Sequence, residues 1–292
     1  MSKSLAKGSD AIKVLAARFP QLYIAPAEDT QDAFRAASGR GIVPEGANLD
    51  HFLTNPEDEL REVDTPAGPV EVVFLKERAD FETFLQIIGH RAQSVPIART
   101  VGAITYRGIA DWGTVRAAYE RYVAGGGDDW GAEFSRLAQQ PGMFRAELVV
   151  ISEGPYSNIA ADQTPYSAEE WVPISREIRL HHECAHVVCR RTMPDNIAEV
   201  WDEVTADVVG LLCATGHYDA QLAAHFLGVT ADGFCGGRLI EYLSDEQKER
   251  LDEVSREVYA SLVKIEQTCT EDDCARPFDY LLRLKNDPFL TY

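Results

Sequence analysis

The sequence predicts an α+β protein whose C-terminal half is rich in helix and whose N-terminal half is mixed. Two observations carry this. Short runs of β-branched and apolar residues bounded by turn residues lie at 70–75, 100–109 and 147–151. From residue 173 onward, apolar residues recur instead at helical spacing. No internal repeat or low-complexity tract appears. The best boundary lies near 125–142, dividing the chain into 1–140 and 141–292, which can still fold as one compact unit.

Taken in order, residues 1–20 read as an amphipathic helix carried by Ile12, Leu15 and Phe19. Residues 20–69 are rich in Gly, Pro and Asp without a sustained period, which predicts loops and short helices. Val70 to Leu75 follows a Gly68-Pro69 turn and reads as a buried strand. Asp80 is placed to cap a helix through His90, with Phe81, Phe84, Leu85 and Ile88 on its apolar side. A strand over 100–109 precedes a helix capped by Asp111 and running to about Val123. Gly125-Gly126-Gly127 breaks that helix. The triplet lacks a following Gly-Lys-Ser/Thr and is succeeded by Asp128 and Asp129, so it reads as a loop and not a phosphate cradle. Glu147 to Ile151 is the last clear strand. Ser175, after Pro173, is placed to cap a helix that Pro194 ends, and Asp195 to cap a second, with Ile197 on its apolar side, that Gly216 closes. A short helix follows over 219–227. Ser244-x-x-Gln247 is a capping box opening a long amphipathic helix to about Gln267.

Composition bounds the function. The chain has 292 residues, 45% hydrophobic and 26% charged, as expected of a soluble globular protein. With 47 acidic against 28 basic residues the net charge is −19, which argues against binding nucleic acid or an anionic membrane through a basic patch. No apolar run approaches membrane-span length, and the N-terminus lacks a continuous apolar segment and cleavage site, so a cytoplasmic protein is expected. The six cysteines form no C-x-x-C pair and read as reduced, mostly buried thiols. Cys269 and Cys274 bracket an acidic turn where a disulfide is conceivable but unsupported.

The chemistry concentrates at His181-His182-Glu183-Cys184-Ala185-His186, which contains H-E-x-x-H. Residues four apart on a helix lie about 40° apart around its axis and one turn along it. His182 and His186 can therefore aim two imidazoles at one ion. Glu183 lies roughly 100° from His182, an offset that suits a base acting on water better than a third ligand. His181 is about 140° from His186 and falls outside the ligand set. Cys189, one turn past His186, reads as packing. On the next helix Glu203 and Asp207 stand four apart, a repulsive spacing that a cation or a histidine N–H would relieve. An acidic, solvated helix face is the simpler alternative.

His182-Glu183-x-x-His186, sixteen intervening residues and Glu203-x-x-x-Asp207 together resemble the gluzincin group of zinc metallopeptidases, the thermolysin-like and aminopeptidase-like H-E-x-x-H enzymes. The resemblance covers about 30 residues of the chain and implies a zincin-like fold. It carries zinc binding onto His182, His186 and Glu203, the general base onto Glu183, and onto Asp207 the orientation of a ligand histidine. The spacing from His186 to Glu203 is shorter than in the well-known members, which keeps Glu199 open as a rival third ligand. The metzincin continuation is absent.

A hydrolytic centre also needs a donor facing the developing oxyanion. Tyr156 and His225 rank level as candidates, His225 on condition that the 219–227 helix folds back, and Tyr166 before the metal helix stays open too. His217 lies about 21 Å along the helix from Glu203, too far to serve. In the resembled group an edge strand before the metal helix binds extended substrate by strand addition, a role that falls on residues 148–158. The expectation is a zinc-dependent hydrolase acting on a peptide or protein. Two alternatives stay open: a zincin-fold binding protein that has lost catalysis, and a metal hydrolase of a non-peptide substrate.

Overall fold

A computed structural model of the chain describes residues 2–140, 142–193 and 199–286. Pro194, Asp195 and Ile197, expected to join and cap the two helices of the motif, lie outside the described residues. The architecture is α+β, with a mixed sheet in the N-terminal half and a helix-rich C-terminal half. Among the described residues, no helix is long and apolar enough to cross a membrane.

The chain divides into two units, one of residues 1–63 with 70–152 and one of 64–69 with 153–292. The boundary falls after 152 and not near 140, because the strand ending there is hydrogen-bonded on both sides within the first unit.

The first unit holds a five-stranded sheet of β1 (Ser2–Lys7), β2 (Glu59–Val63), β3 (Val70–Leu75), β4 (Ala103–Ala110) and β5 (Arg145–Ser152), in the order β1-β2-β3-β5-β4. β3 and β5 are parallel and the other pairings antiparallel. Its helices are α1 (Ser9–Arg18), α2 (Gln31–Arg40), α3 (Arg78–His90), α4 (Trp112–Ala124) and α5 (Trp130–Ala138). The core packs Ile12, Leu15 and Phe19 of the first segment with Phe81, Phe84, Leu148 and Val150.

Three expectations are corrected here. The first twenty residues are not one helix: Ser2–Lys7 is an edge strand held by β2, and Gly8 turns the chain at φ +57° into α1. β1 and β2 are recruited by pairing, which local periodicity does not encode. Asp80 lies inside α3 and accepts from the Leu53 and Thr54 backbone N–H groups, so it pins the preceding loop. β5 is an internal strand, with Leu148 to Ile151 fully buried between β3 and β4. Its backbone has no free edge, and strand addition on 148–152 is thereby removed.

The second unit contains α6 (Ala168–Thr192), α7 (Glu199–Thr215), α8 (Ala220–Leu227), α9 (Asp245–Glu249), α10 (Leu251–Thr268), α11 (Glu271–Ala275) and α12 (Pro277–Leu284). A two-stranded ribbon, β6 (Val229–Thr230) and β7 (Gly233–Phe234), follows α8. α6 begins earlier than expected. Ser167 and Glu170 form its capping box, and Pro173 lies within the helix. An interior proline costs about 3 kcal/mol, whereas burying an indole such as Trp171 stabilises by roughly 4 kcal/mol. Trp171 is 1% exposed, stacks on Phe226 and donates from Nε1 to the Ile159 carbonyl at 2.7 Å, so the longer helix wins. Ser175 is buried in that helix and accepts from the Tyr156 N–H. The capping box at Ser244 is present, but the helix it opens breaks at Arg250 into α9 and α10.

Candidate metal centre

α6 and α7 pack antiparallel and closely. Gly210 marks a close approach: a Cβ there would stand 2.8 Å from the Ile178 carbonyl oxygen. The side chains of Val204, Val208, Leu211 and Ile178 fill the apolar core around this crossing. The polar side chains of both helices that face inward must therefore satisfy one another.

They do so as a centre. His182 and His186 bring their Nε2 atoms within 3.0 Å. Glu203 completes the group, its Oε2 3.4 Å from His182 Nε2 and its Oε1 3.3 Å from His186 Nε2. The three ligand atoms all lie within 4.8 Å of one another. A tetrahedral zinc with bonds near 2.0–2.1 Å separates neighbouring ligand atoms by about 3.3 Å, so the observed spacings fit.

The outer contacts decide the protonation. His182 Nδ1 lies 2.9 Å from both Asp207 Oδ1 and the Tyr156 hydroxyl. That hydroxyl donates its own proton to Asp207 Oδ1 at 2.6 Å. With Asp207 able only to accept and Tyr156 already donating, Nδ1 must carry the hydrogen, which leaves the Nε2 lone pair facing inward. His186 repeats the arrangement, with Nδ1 2.7 Å from Asp202 Oδ2. Two imidazole lone pairs 3.0 Å apart repel unless a cation or proton lies between them.

Each supporting carboxylate has a cation behind it. Arg238 donates to Asp207 Oδ2 and has Nη1 3.6 Å from Glu203 Oε2. Lys285 donates to Asp202 Oδ1 at 2.7 Å. Three carboxylates, Asp202, Glu203 and Asp207, thus face Arg238 and Lys285 around the histidines. A cation among the ligand atoms offsets the negative charge that is left. Without it the site draws protons. Burial alone would lower the His186 pKa, but hydrogen bonds to Asp202 and Glu203 outweigh it and raise it to about 10. Burial would likewise raise Asp202, yet its bonds to His186 and Lys285 hold it at about 2. Glu203 is driven well below the usual carboxylate range by both histidines against the opposing effect of burial.

The structure brings together the expected His182, His186, Glu203 and Asp207. Glu183 is half-buried at the centre's margin, its charge among those acting on His186. Glu199 is exposed at the start of α7 and outside the group, so it does not replace Glu203. His181 lies near Glu177, and Cys189 packs with Ala185, Val188 and Leu281. Two expectations fail. Tyr156 sits behind His182, on the Nδ1 side and away from the ligand atoms, held there by Asp207 and by edge contact with Phe226. His225 is exposed on α8, because the helix turns neighbouring Phe226 inward instead. Cys269 and Cys274 are both free thiols, 3.9 Å apart.

Four residues escaped the sequence reading: Asp202, Arg238, Tyr242 and Lys285. Asp202 had a signal, since two ligand histidines call for two orienting partners. The others arrive from remote segments. Arg238 and Tyr242 lie in a 3-10 turn (Arg238–Tyr242) aimed by a backbone-to-backbone contact. Gly237 there passes so near Gly228 that a Cβ would come within 2.5 Å of the Gly228 nitrogen. Burial raises the Tyr242 pKa, with the Glu203 charge adding to the rise, and the Arg238 guanidinium lies 5.1 Å and 6.0 Å from the Tyr156 and Tyr242 ring centroids.

These features define an α+β protein with a His-His-Glu cluster able to hold a metal ion. The chain belongs to the family described as "Family of unknown function (DUF7005)", which it matches over residues 2–275. No curated protein and no solved structure matches it.

Proposed function

We propose that the protein is a zinc-dependent hydrolase of gluzincin type with a zincin-like helix pair, acting on peptide bonds. The observation that carries this reading is the pair of Nε2 atoms turned toward each other and toward Glu203, each ring held by a carboxylate at Nδ1. His182, His186 and Glu203 would hold the ion, leaving a fourth position for water. Bound zinc supplies a Lewis acid that lowers the pKa of a water to about 7. Glu183, adjoining a ligand but outside the ligand group, accepts the proton of the attacking water and returns it to the leaving nitrogen. Tyr242, half-buried against Arg238 at the edge of the cluster, takes the oxyanion-facing role expected of Tyr156. Asp207 and Asp202 hold the two imidazole tautomers through the reaction.

The test is metal analysis of the purified chain together with Glu183→Gln assayed on a mixed peptide pool. One zinc per chain, retained in Glu183→Gln while hydrolysis falls by about 10²–10⁴-fold, is expected. Absence of stoichiometric metal after zinc supplementation overturns the reading.

A second reading is a metal-holding binding protein without catalysis. It is favoured by Arg238, whose Nη1 crowds Glu203 at 3.6 Å. Unchanged behaviour of Glu183→Gln in every assay the wild type passes would select it.

A further inference from the structure

We propose that Lys285, just past the C-terminal end of α12, is a positioning residue of the metal centre. It locks Asp202 so that this carboxylate holds His186 with Nε2 turned to its fellow ligands. The proposal rests on the reading that the centre binds a divalent ion.

The Lys285 side chain is only 4% exposed, an unusual state for a lysine. Its Nζ lies 2.7 Å from Asp202 Oδ1, while Asp202 Oδ2 lies 2.7 Å from His186 Nδ1. One oxygen thus serves the cation and the other the ligand, so the carboxylate plane is fixed at both ends. A carboxylate held only by the histidine could rotate and let the ring follow. Docking of α12 does not require the ammonium. Leu281 packs on Ala206 and Val209 of α7 and on Ala185 of α6, and an apolar side chain at 285 would dock at least as well. Asp202 therefore explains the buried charge. Arg238, Asp207 and His182 repeat the same order of cation, carboxylate and ligand. Lys285 lies beyond residue 275, where the family match ends.

The experiment measures zinc affinity of the full chain by chelator competition, and the visible absorption of the cobalt-loaded chain. It compares wild type, Lys285→Met, Lys285→Arg, Asp202→Asn and the Asp202→Asn/Lys285→Met pair. Lys285→Met is expected to weaken zinc about 10-fold and to shift the cobalt bands, Lys285→Arg to restore both. In the Asp202→Asn background Lys285→Met should add no further loss. Wild-type affinity in Lys285→Met, or an equal loss in both backgrounds, overturns the proposal and leaves the metal reading intact. A wild type that takes up neither zinc nor cobalt overturns both. Should Lys285→Met fail to fold, Lys285→Gln is put through the same comparison.

Discussion

Asp202 and Asp207 lie on one helix, yet each closes on a different histidine of α6, at 2.7 Å and 2.9 Å. Five positions on a helix advance about 7.5 Å, close to the roughly 6 Å between residues four apart. The antiparallel crossing of α6 and α7 converts those matched intervals into two parallel contacts with Glu203 between them. The arrangement is a property of the pair of helices, and the predictions follow from taking it apart.

Asp207 is 1% exposed and serves Tyr156, His182 and Arg238 at once, whereas Asp202 is 15% exposed. Asp207→Asn strands a buried guanidinium, so it should cost about 3–5 kcal/mol in urea unfolding. Asp202→Asn should cost less in stability. Both should weaken zinc by about 10–100-fold in a chelator competition.

If the chain is the zinc hydrolase proposed above, the two tyrosines should separate by what they change. Tyr156→Phe deletes the donor to Asp207 and should lower stability by about 1–3 kcal/mol, with kcat of the zinc-saturated enzyme nearly unchanged. Tyr242→Phe should leave zinc affinity close to wild type and lower kcat by about 10²-fold or more. Steady-state kinetics at saturating zinc distinguish them. The reverse pattern would restore Tyr156 as the oxyanion donor.

Metal-free and zinc-loaded protein should respond oppositely to pH. The stability that charged His186 adds is fully present below its ordinary value near 6.5 and is lost as pH climbs through about 10. The stability from ionised Asp202 is present above its ordinary 3.8 and is lost as pH falls through about 2. Metal-free Tm should therefore plateau between those ordinary values and decline toward pH 10. The gain in Tm on adding zinc should grow over the same rise, because the ligands must shed protons to bind it. Thermal scans with and without zinc between pH 5 and 9 check both slopes.

Gly210→Ala tests the helix crossing. Alanine gains up to about 1 kcal/mol of helix propensity, but its Cβ meets a backbone oxygen at 2.8 Å that cannot turn aside. The clash should prevail, with a net loss of about 1–3 kcal/mol and weaker zinc binding. Urea unfolding and metal affinity should fall together.

Much of the fold was legible locally. The Asp111 cap, the Ser244 box and the strands at 70–75 and 145–152 follow from turn chemistry and apolar runs. β1, β2 and α5 were not legible. β1 is a polar edge strand that exists through its hydrogen bonds to β2, and α5 has no buried residue to mark its apolar side in the core. Pro173 read as a boundary, because its cost is local whereas the burial of Trp171 that outweighs it is not.

By itself the sequence determined the helix pair and the three residues of the cluster. H-E-x-x-H and Glu203-x-x-x-Asp207 act at separations of four, which one helical turn converts directly into geometry. Tertiary structure alone decided the rest. It put Tyr156 behind His182, sent His225 to the surface, and brought Arg238 and Lys285 from distant segments to the carboxylates. The physical reason is that a buried charge must be met by whichever opposite charge the packing brings close, and no spacing along the chain records which one that is.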